Sequence, residues 1–212
     1  MMDDYILMVV FFAICIGGVR LWRKHQQKDQ SFSAGPGTYI IGRNIPAGKF
    51  DLVAEEGSGD FCVLERNALD WHHPHLMGYE CDDRARRFRN LTLNRGDTLE
   101  VNGNLWLTTR TPTPIQDISA EPLDPGNYKI GLDLPAGVYN IKVLLGSGSV
   151  FNDVKEDEGQ PFFQEMAADD PEKASRYKNL RCEEATTLHI RGNLRLQLSL
   201  ANNVRPGWRW FT

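Results

Sequence analysis

Imidazole, thiol and carboxylate groups crowd into one stretch of this chain. Asp70-Trp71-His72-His73-Pro74-His75 is followed by Cys81-Asp82-Asp83. Imidazole nitrogens and a thiolate are the donors of a tetrahedral zinc site. The spacing fits no zinc pattern, however, and adjacent histidines rarely both reach one ion. The expectation is an exposed polar-aromatic loop, with His72, His73, His75 and Cys81 as weak metal candidates and no cofactor. A second stretch is acidic: Glu156, Asp157, Glu158, Glu165, Asp169, Asp170 and Glu172. It lacks the alternating acids, central glycine and closing glutamate of a calcium loop, so it reads as solvated. Arg181, His189, Arg191, Arg195 and Gln197 alternate with apolar residues. They are expected on one outward sheet face, suited to anionic headgroups or an acidic partner. Trp71 and Trp106 stand beside polar residues, an arrangement that suits sugar stacking. The chain shows no serine-hydrolase elbow, paired histidine-carboxylate motif or Walker loop. No enzyme is expected.

These groups hang on a repeated frame. Pro36-Gly37-Thr38-Tyr39-Ile40-Ile41-Gly42-Arg43-Asn44-Ile45-Pro46-Ala47-Gly48-Lys49-Phe50 returns as Pro125-Gly126-Asn127-Tyr128-Lys129-Ile130-Gly131-Leu132-Asp133-Leu134-Pro135-Ala136-Gly137-Val138-Tyr139. At this offset of 89, residues 36–108 and 125–197 share 22 identical positions. Gly57-Ser58-Gly59 maps onto Gly146-Ser147-Gly148, and Gly103-Asn104-Leu105 onto Gly192-Asn193-Leu194. One fold is therefore expected twice.

Period-two alternation marks that fold as antiparallel β-structure. Phe50, Leu52 and Ala54 share a face, as do Tyr139, Ile141 and Val143. Five or six short strands per unit, spaced by Gly-rich turns, suggest an all-β pair of small sandwich or barrel domains. Asn44-Ile45-Pro46-Ala47-Gly48 and Asp133-Leu134-Pro135-Ala136-Gly137 read as structural turns. There Asn44 or Asp133 bonds backbone two residues on, Pro46 or Pro135 presets φ, and Gly48 or Gly137 takes a positive φ through a bulge. The two Gly-Ser-Gly triplets read as hairpin turns, since no helix follows to make a phosphate loop. Residues 67–87 and 156–176 are inserts of equal length and unrelated content. Each is expected to end in a short helix, capped by Asp82 or Asp170.

The N-terminus is different in kind. Residues 5–22 are apolar apart from Arg20, which can snorkel, and Trp22 suits the interfacial belt. Acidic Asp3 and Asp4 precede the run, which argues for a single-pass transmembrane anchor over a cleaved signal. Arg20, Arg23, Lys24 and Lys28 flank the far side, so the β domains are expected in the cytoplasm. The domain reading is a short segment at 1–4, the anchor at 5–22 and a flexible tether at 23–35. The first β repeat spans 36–112, a Pro-rich linker 113–124, and the second repeat 125–212. Lys+Arg 24 against Asp+Glu 28 gives no charge reason to expect nucleic acid. Cys15, Cys62, Cys81 and Cys182 do not repeat with the fold, so reduced thiols are the default. The aromatic C-terminus, Pro206-Gly207-Trp208-Arg209-Trp210-Phe211-Thr212, is read as a final strand.

The Tyr-x-x-Gly-x-Asn/Asp-Ile/Leu-Pro-Ala-Gly-x-Phe/Tyr signature, with Gly96-Asp97-Thr98-Leu99, resembles a small β module of uncharacterised bacterial envelope proteins. Such modules often stand behind a single membrane segment. The resemblance implies a bacterial cell-membrane location, a non-enzymatic module, and often an extracytoplasmic one. The functional expectation is a membrane-anchored tandem-β interaction or scaffold protein with a protein partner. The alternative is an extracytoplasmic module binding envelope glycan. The third reading is a metal-dependent enzyme using the His-rich loop.

Overall fold

The structure, a computed structural model, describes residues 31–65, 74–113, 115, 117–153 and 162–201. Trp71, His72, His73, residues 1–30 and the aromatic C-terminus lie outside the described residues. The described chain is strands, turns and loops, with no helix among them. Its first half holds β1 (Ser33–Ala34), β2 (Gly37–Ile40), β3 (Gly48–Glu56), β4 (Ser58–Leu64), β5 (His75–Gly78), β6 (Arg87–Leu93), β7 (Thr98–Gly103) and β8 (Trp106–Arg110). Its second half holds β9 (Gly126–Lys129), β10 (Gly137–Leu145), β11 (Ser147–Asn152), β12 (Phe163–Ala167), β13 (Arg176–Cys182), β14 (Thr187–Ile190) and β15 (Arg195–Leu200).

Each half folds its strands into two sets. In the first, β6-β3-β8 stand side by side with β1 beyond β8, and β2-β7-β4-β5 form the other set. In the second, the sets are β13-β10-β15 and β9-β14-β11-β12. The alternating apolar residues point inward as the period-two pattern requires. Phe50, Leu52, Phe61, Phe88, Leu99 and Leu107 belong to one buried cluster. Tyr128, Tyr139, Ile141, Val150, Leu188 and Leu198 belong to the other. The result is all-β and sandwich-like.

The two halves meet in one strand pair and in a salt bridge from Lys49 Nζ to Asp133 Oδ2 at 2.6 Å. Arg89 on β6 pairs in parallel with Gly126 on β9, so a single eight-stranded sheet crosses from one half to the other. Arg89 N donates to Pro125 O at 2.7 Å. A Cβ on Gly126 would stand 2.4 Å from Arg89 O, so only glycine permits this approach. Arg89 and Asp51 are both buried, with Nε to Oδ2 at 3.3 Å, and Arg89 also donates to Thr113 O at 2.6 Å. The Pro-rich linker is thereby tied in. Leu123 within it is fully buried and exchanges backbone hydrogen bonds with Leu196. The tether contributes too, since β1 pairs with β8 at Ser33↔Thr108.

Several local expectations are corrected. The Gly-Ser-Gly triplets are corners between sheets, not hairpin turns: β3 and β4 lie in different sheets, as do β10 and β11. A Cβ on Gly59 would fall 1.9 Å from Asn102 O, and one on Gly148 2.0 Å from Arg191 O. The neighbouring backbone is packed onto the glycine faces. Asn44 Oδ1 accepts from Ile40 N at 2.9 Å and Asp133 Oδ2 from Lys129 N at 2.8 Å. These acceptors reach four residues back rather than two forward. The bulges come three residues after Gly48 and Gly137, at Asp51 and Asn140, where the pairing of β3 with β6 and of β10 with β13 shifts register. Gly48 has φ +157°, while Gly137 is not among the positive-φ residues.

The inserts end in turns rather than helices. Asp170 Oδ1 accepts Glu172 N at 3.0 Å, which closes one turn only. The inserts also carry strands β5 and β12, and their content is partly shared. Met77 bridges Ala85, and Met166 bridges Ala174, again 89 residues on.

Candidate functional site

Non-repeating side chains gather in a cavity of about 790 Å³ between the two halves. His75 and Leu76 of β5 and Phe88 of β6 line one wall. Phe151 of β11, Phe163 of β12 and Arg191, just past β14, line the other. The volume is within the range of small-molecule and peptide-anchor sites. His75 sits against Phe88 and Phe61, with ring centroids 4.6 and 4.9 Å away. Phe163 stacks at 6.4 Å on Phe151 and is 61% exposed, forming the rim.

Arg191 supplies the positive charge. Its guanidinium carbon lies 5.3 Å from the Phe151 ring centre and 5.4 Å from that of Phe88. Its N–H groups donate to Gly126 O, Ile190 O and Asn127 Oδ1, and approach His189 Nδ1 at 3.0 Å. Carbonyl, amide and imidazole acceptors hold the group without neutralising it. Burial lowers its pKa to about 10, against the opposing pull of Asp153. Rings on two sides and a half-buried cation favour an apolar or aromatic group carrying negative charge, placed away from Asp83, the one acid on the lining.

His189 braces this arrangement. Its ring stacks on Phe151 at 4.7 Å and 18°. Nε2 lies 2.9 Å from Asp153 Oδ1 and Nδ1 2.8 Å from Asn127 Oδ1. Burial first, and Arg191 second, push its pKa down, while Asp153 opposes them. A neutral ring carries one N–H, which donates either from Nε2 to Asp153 Oδ1 or from Nδ1 to Asn127 Oδ1. Ser147 and Ser149 line the same cavity. With both nitrogens of His189 occupied, neither is left to take a serine proton.

The expected basic face divides. His189 and Arg191 belong with β14 at the cleft. Arg181 is on β13, exposed and 3.7 Å from Glu183. Arg195 and Gln197 are on β15, where Gln197 bonds Ser119 O and Arg195 approaches Asp124 at 3.6 Å. Trp106 is 51% exposed on β8, outside the cleft, with its ring packed over Gly35. Cys81 Sγ contacts Tyr79 O at 3.6 Å. Cys81 and Cys182 are free thiols. Among the described residues, no group of three His, Cys, Asp or Glu side chains is placed to hold a metal.

Phe88, Phe151 and Phe163 are the site residues that sequence reasoning missed. Phe88 and Phe151 are apolar residues in strands, and an apolar strand residue looks the same in the sequence whether it fills a core or walls a cavity. Fold and cleft together define an all-β, sandwich-like protein with an aromatic cavity that carries an arginine. Compared with protein-family models, curated proteins and solved structures, the chain matches none.

Proposed function

We propose that this is a membrane-anchored interaction protein. Residues 5–22 hold it at a bilayer, and the duplicated β domains present the aromatic cleft to a segment of a partner protein. The observation that carries the reading is the cleft itself: an exposed aromatic rim above a half-buried arginine whose printed partners are carbonyl, amide and imidazole groups, with Asp83 as the one acid on the lining. Such a site rewards an aromatic or aliphatic anchor with an acidic group beside it. The braced His189 supports binding over catalysis. The resemblance to bacterial envelope modules, and the apolar N-terminal run, support a cell-membrane setting. An envelope glycan is the second reading, favoured by the half-exposed Trp106 ring.

The test is photo-crosslinking in cells, with a photoreactive amino acid replacing Phe163 at the rim or Leu200, exposed but outside the cleft. Position 163 is expected to give discrete, protease-sensitive adducts, and position 200 none. Protease-resistant adducts would favour the glycan, and equal adduct patterns at both positions would remove the cleft from the function.

A further inference from the structure

A second cavity, of about 630 Å³, adjoins the aromatic cleft, and Ala85 and Asn193 line both. Its chemistry is different. Arg84, Arg86, Arg87, Arg110 and Arg195 all line it, and no lysine does. Three carboxylates, from Glu55, Asp82 and Asp124, stand among them. The cavity therefore carries an excess of two positive charges, in a chain whose net charge is −4.

The internal ion pairs are loose. Arg87 lies 3.8 Å and Arg195 3.6 Å from Asp124, and Arg110 lies 3.8 Å from Glu55. A tight charge-assisted pair closes to roughly 2.7–2.9 Å. Arg84 donates once, to Gly59 O, and Arg86 lies over the Tyr79 ring. Each guanidinium has five N–H donors, so most of those around this cavity are unused by described protein groups. A single carboxylate satisfies one arginine through two oxygens. A phosphoryl group offers more oxygens, carries about −1.5 to −2 charge at pH 7, and engages several guanidinium groups at once. Arginine is the side chain that matches this geometry.

We propose that the arginine-lined cavity is a binding site for a phosphate-type anion, held chiefly by Arg87, Arg110 and Arg195. The site is distinct from the aromatic cleft and does not depend on what that cleft binds. A soluble phosphate and a phospholipid headgroup present the same chemistry. The test is titration calorimetry on the full chain in neutral detergent at low salt. One arm adds inorganic phosphate. The other adds short-chain phosphatidylglycerol to the micelles, with phosphatidylcholine as its control. Saturable binding is expected in at least one arm, weakened tenfold or more by Arg87→Gln or Arg195→Gln and unchanged by Arg43→Gln. Binding in the phosphate arm marks a soluble ligand; binding of phosphatidylglycerol alone marks a headgroup. Arg110→Gln, at an exposed strand end, serves as a third variant should either of the others fail to fold. No saturable binding in either arm, or binding that the cavity variants retain in full, overturns the proposal.

Discussion

His189 sits between a carboxylate and a guanidinium, and the two pull its protonation in opposite directions. Asp153 at 2.9 Å favours the imidazolium, while burial and Arg191 at 3.0 Å favour the neutral ring and prevail. Its pKa in the folded protein is thus lowered from the ordinary value near 6.5. As pH falls, the unfolded chain takes up this proton first. Stability from the neutral ring is fully present above about pH 6.5 and is lost as pH drops toward the lowered folded value. One proton sets a limiting slope of about 1.4 kcal/mol per pH unit. Urea unfolding between pH 5 and pH 7 should show His189→Gln with a shallower loss than the parent. Parallel curves for the two proteins would sink this account. The imidazole was legible in the sequence as one of an alternating set. Its partners were not, because Asn127 and Asp153 lie 62 and 36 residues away along the chain.

Strand identity was the most legible level. The alternating positions Phe50, Leu52 and Ala54, and Tyr139, Ile141 and Val143, are all buried. What alternation cannot report is which sheet a strand joins, since inward-facing residues look alike in either sheet of a sandwich. This is why the Gly-Ser-Gly corners were misread as hairpins. The correction has a measurable consequence. An alanine at Gly148 would press its Cβ into the Arg191 carbonyl at 2.0 Å. At Gly137 the nearest atom is Tyr139 Oη at 3.3 Å, the far end of a side chain. Gly148→Ala should therefore cost about 1–3 kcal/mol, as overpacking of a tight interior does. Gly137→Ala should cost less than about 1 kcal/mol. Chemical denaturation of the two variants side by side reads the difference. Equal losses would mean that the corner is not held by this backbone approach. Because the pressed carbonyl belongs to Arg191, Gly148→Ala should also disturb the aromatic cleft, whereas Gly137→Ala should not.

Both cavities exist only because the two halves are joined. The aromatic cleft takes Phe88 from one and Phe151 from the other, and the arginine cavity takes Arg110 and Arg195 likewise. The junction includes the Arg89–Gly126 strand pair, in which Arg89 is held from within its own half by the buried ion pair to Asp51. At the offset of 89 those two charged residues become Asn140 and Lys178, so the junction is not a repeated feature. On the proposed anchor at residues 5–22, both clefts would meet only partners on one side of the membrane. On that proposal, orientation decides which partners the clefts can reach. The proposed orientation places the β domains in the cytoplasm, because Arg20, Arg23, Lys24 and Lys28 all follow the apolar run and none precedes it. Lys142 is exposed on β10 and can carry a reporter thiol, with Cys81 replaced by serine to lower the background. A membrane-impermeant maleimide should leave Lys142→Cys unmodified in intact cells and label it after permeabilisation. Labelling of intact cells would reverse the orientation. It would then bring the glycan reading forward, because envelope polymers would share a compartment with the Trp106 ring and with the aromatic cleft.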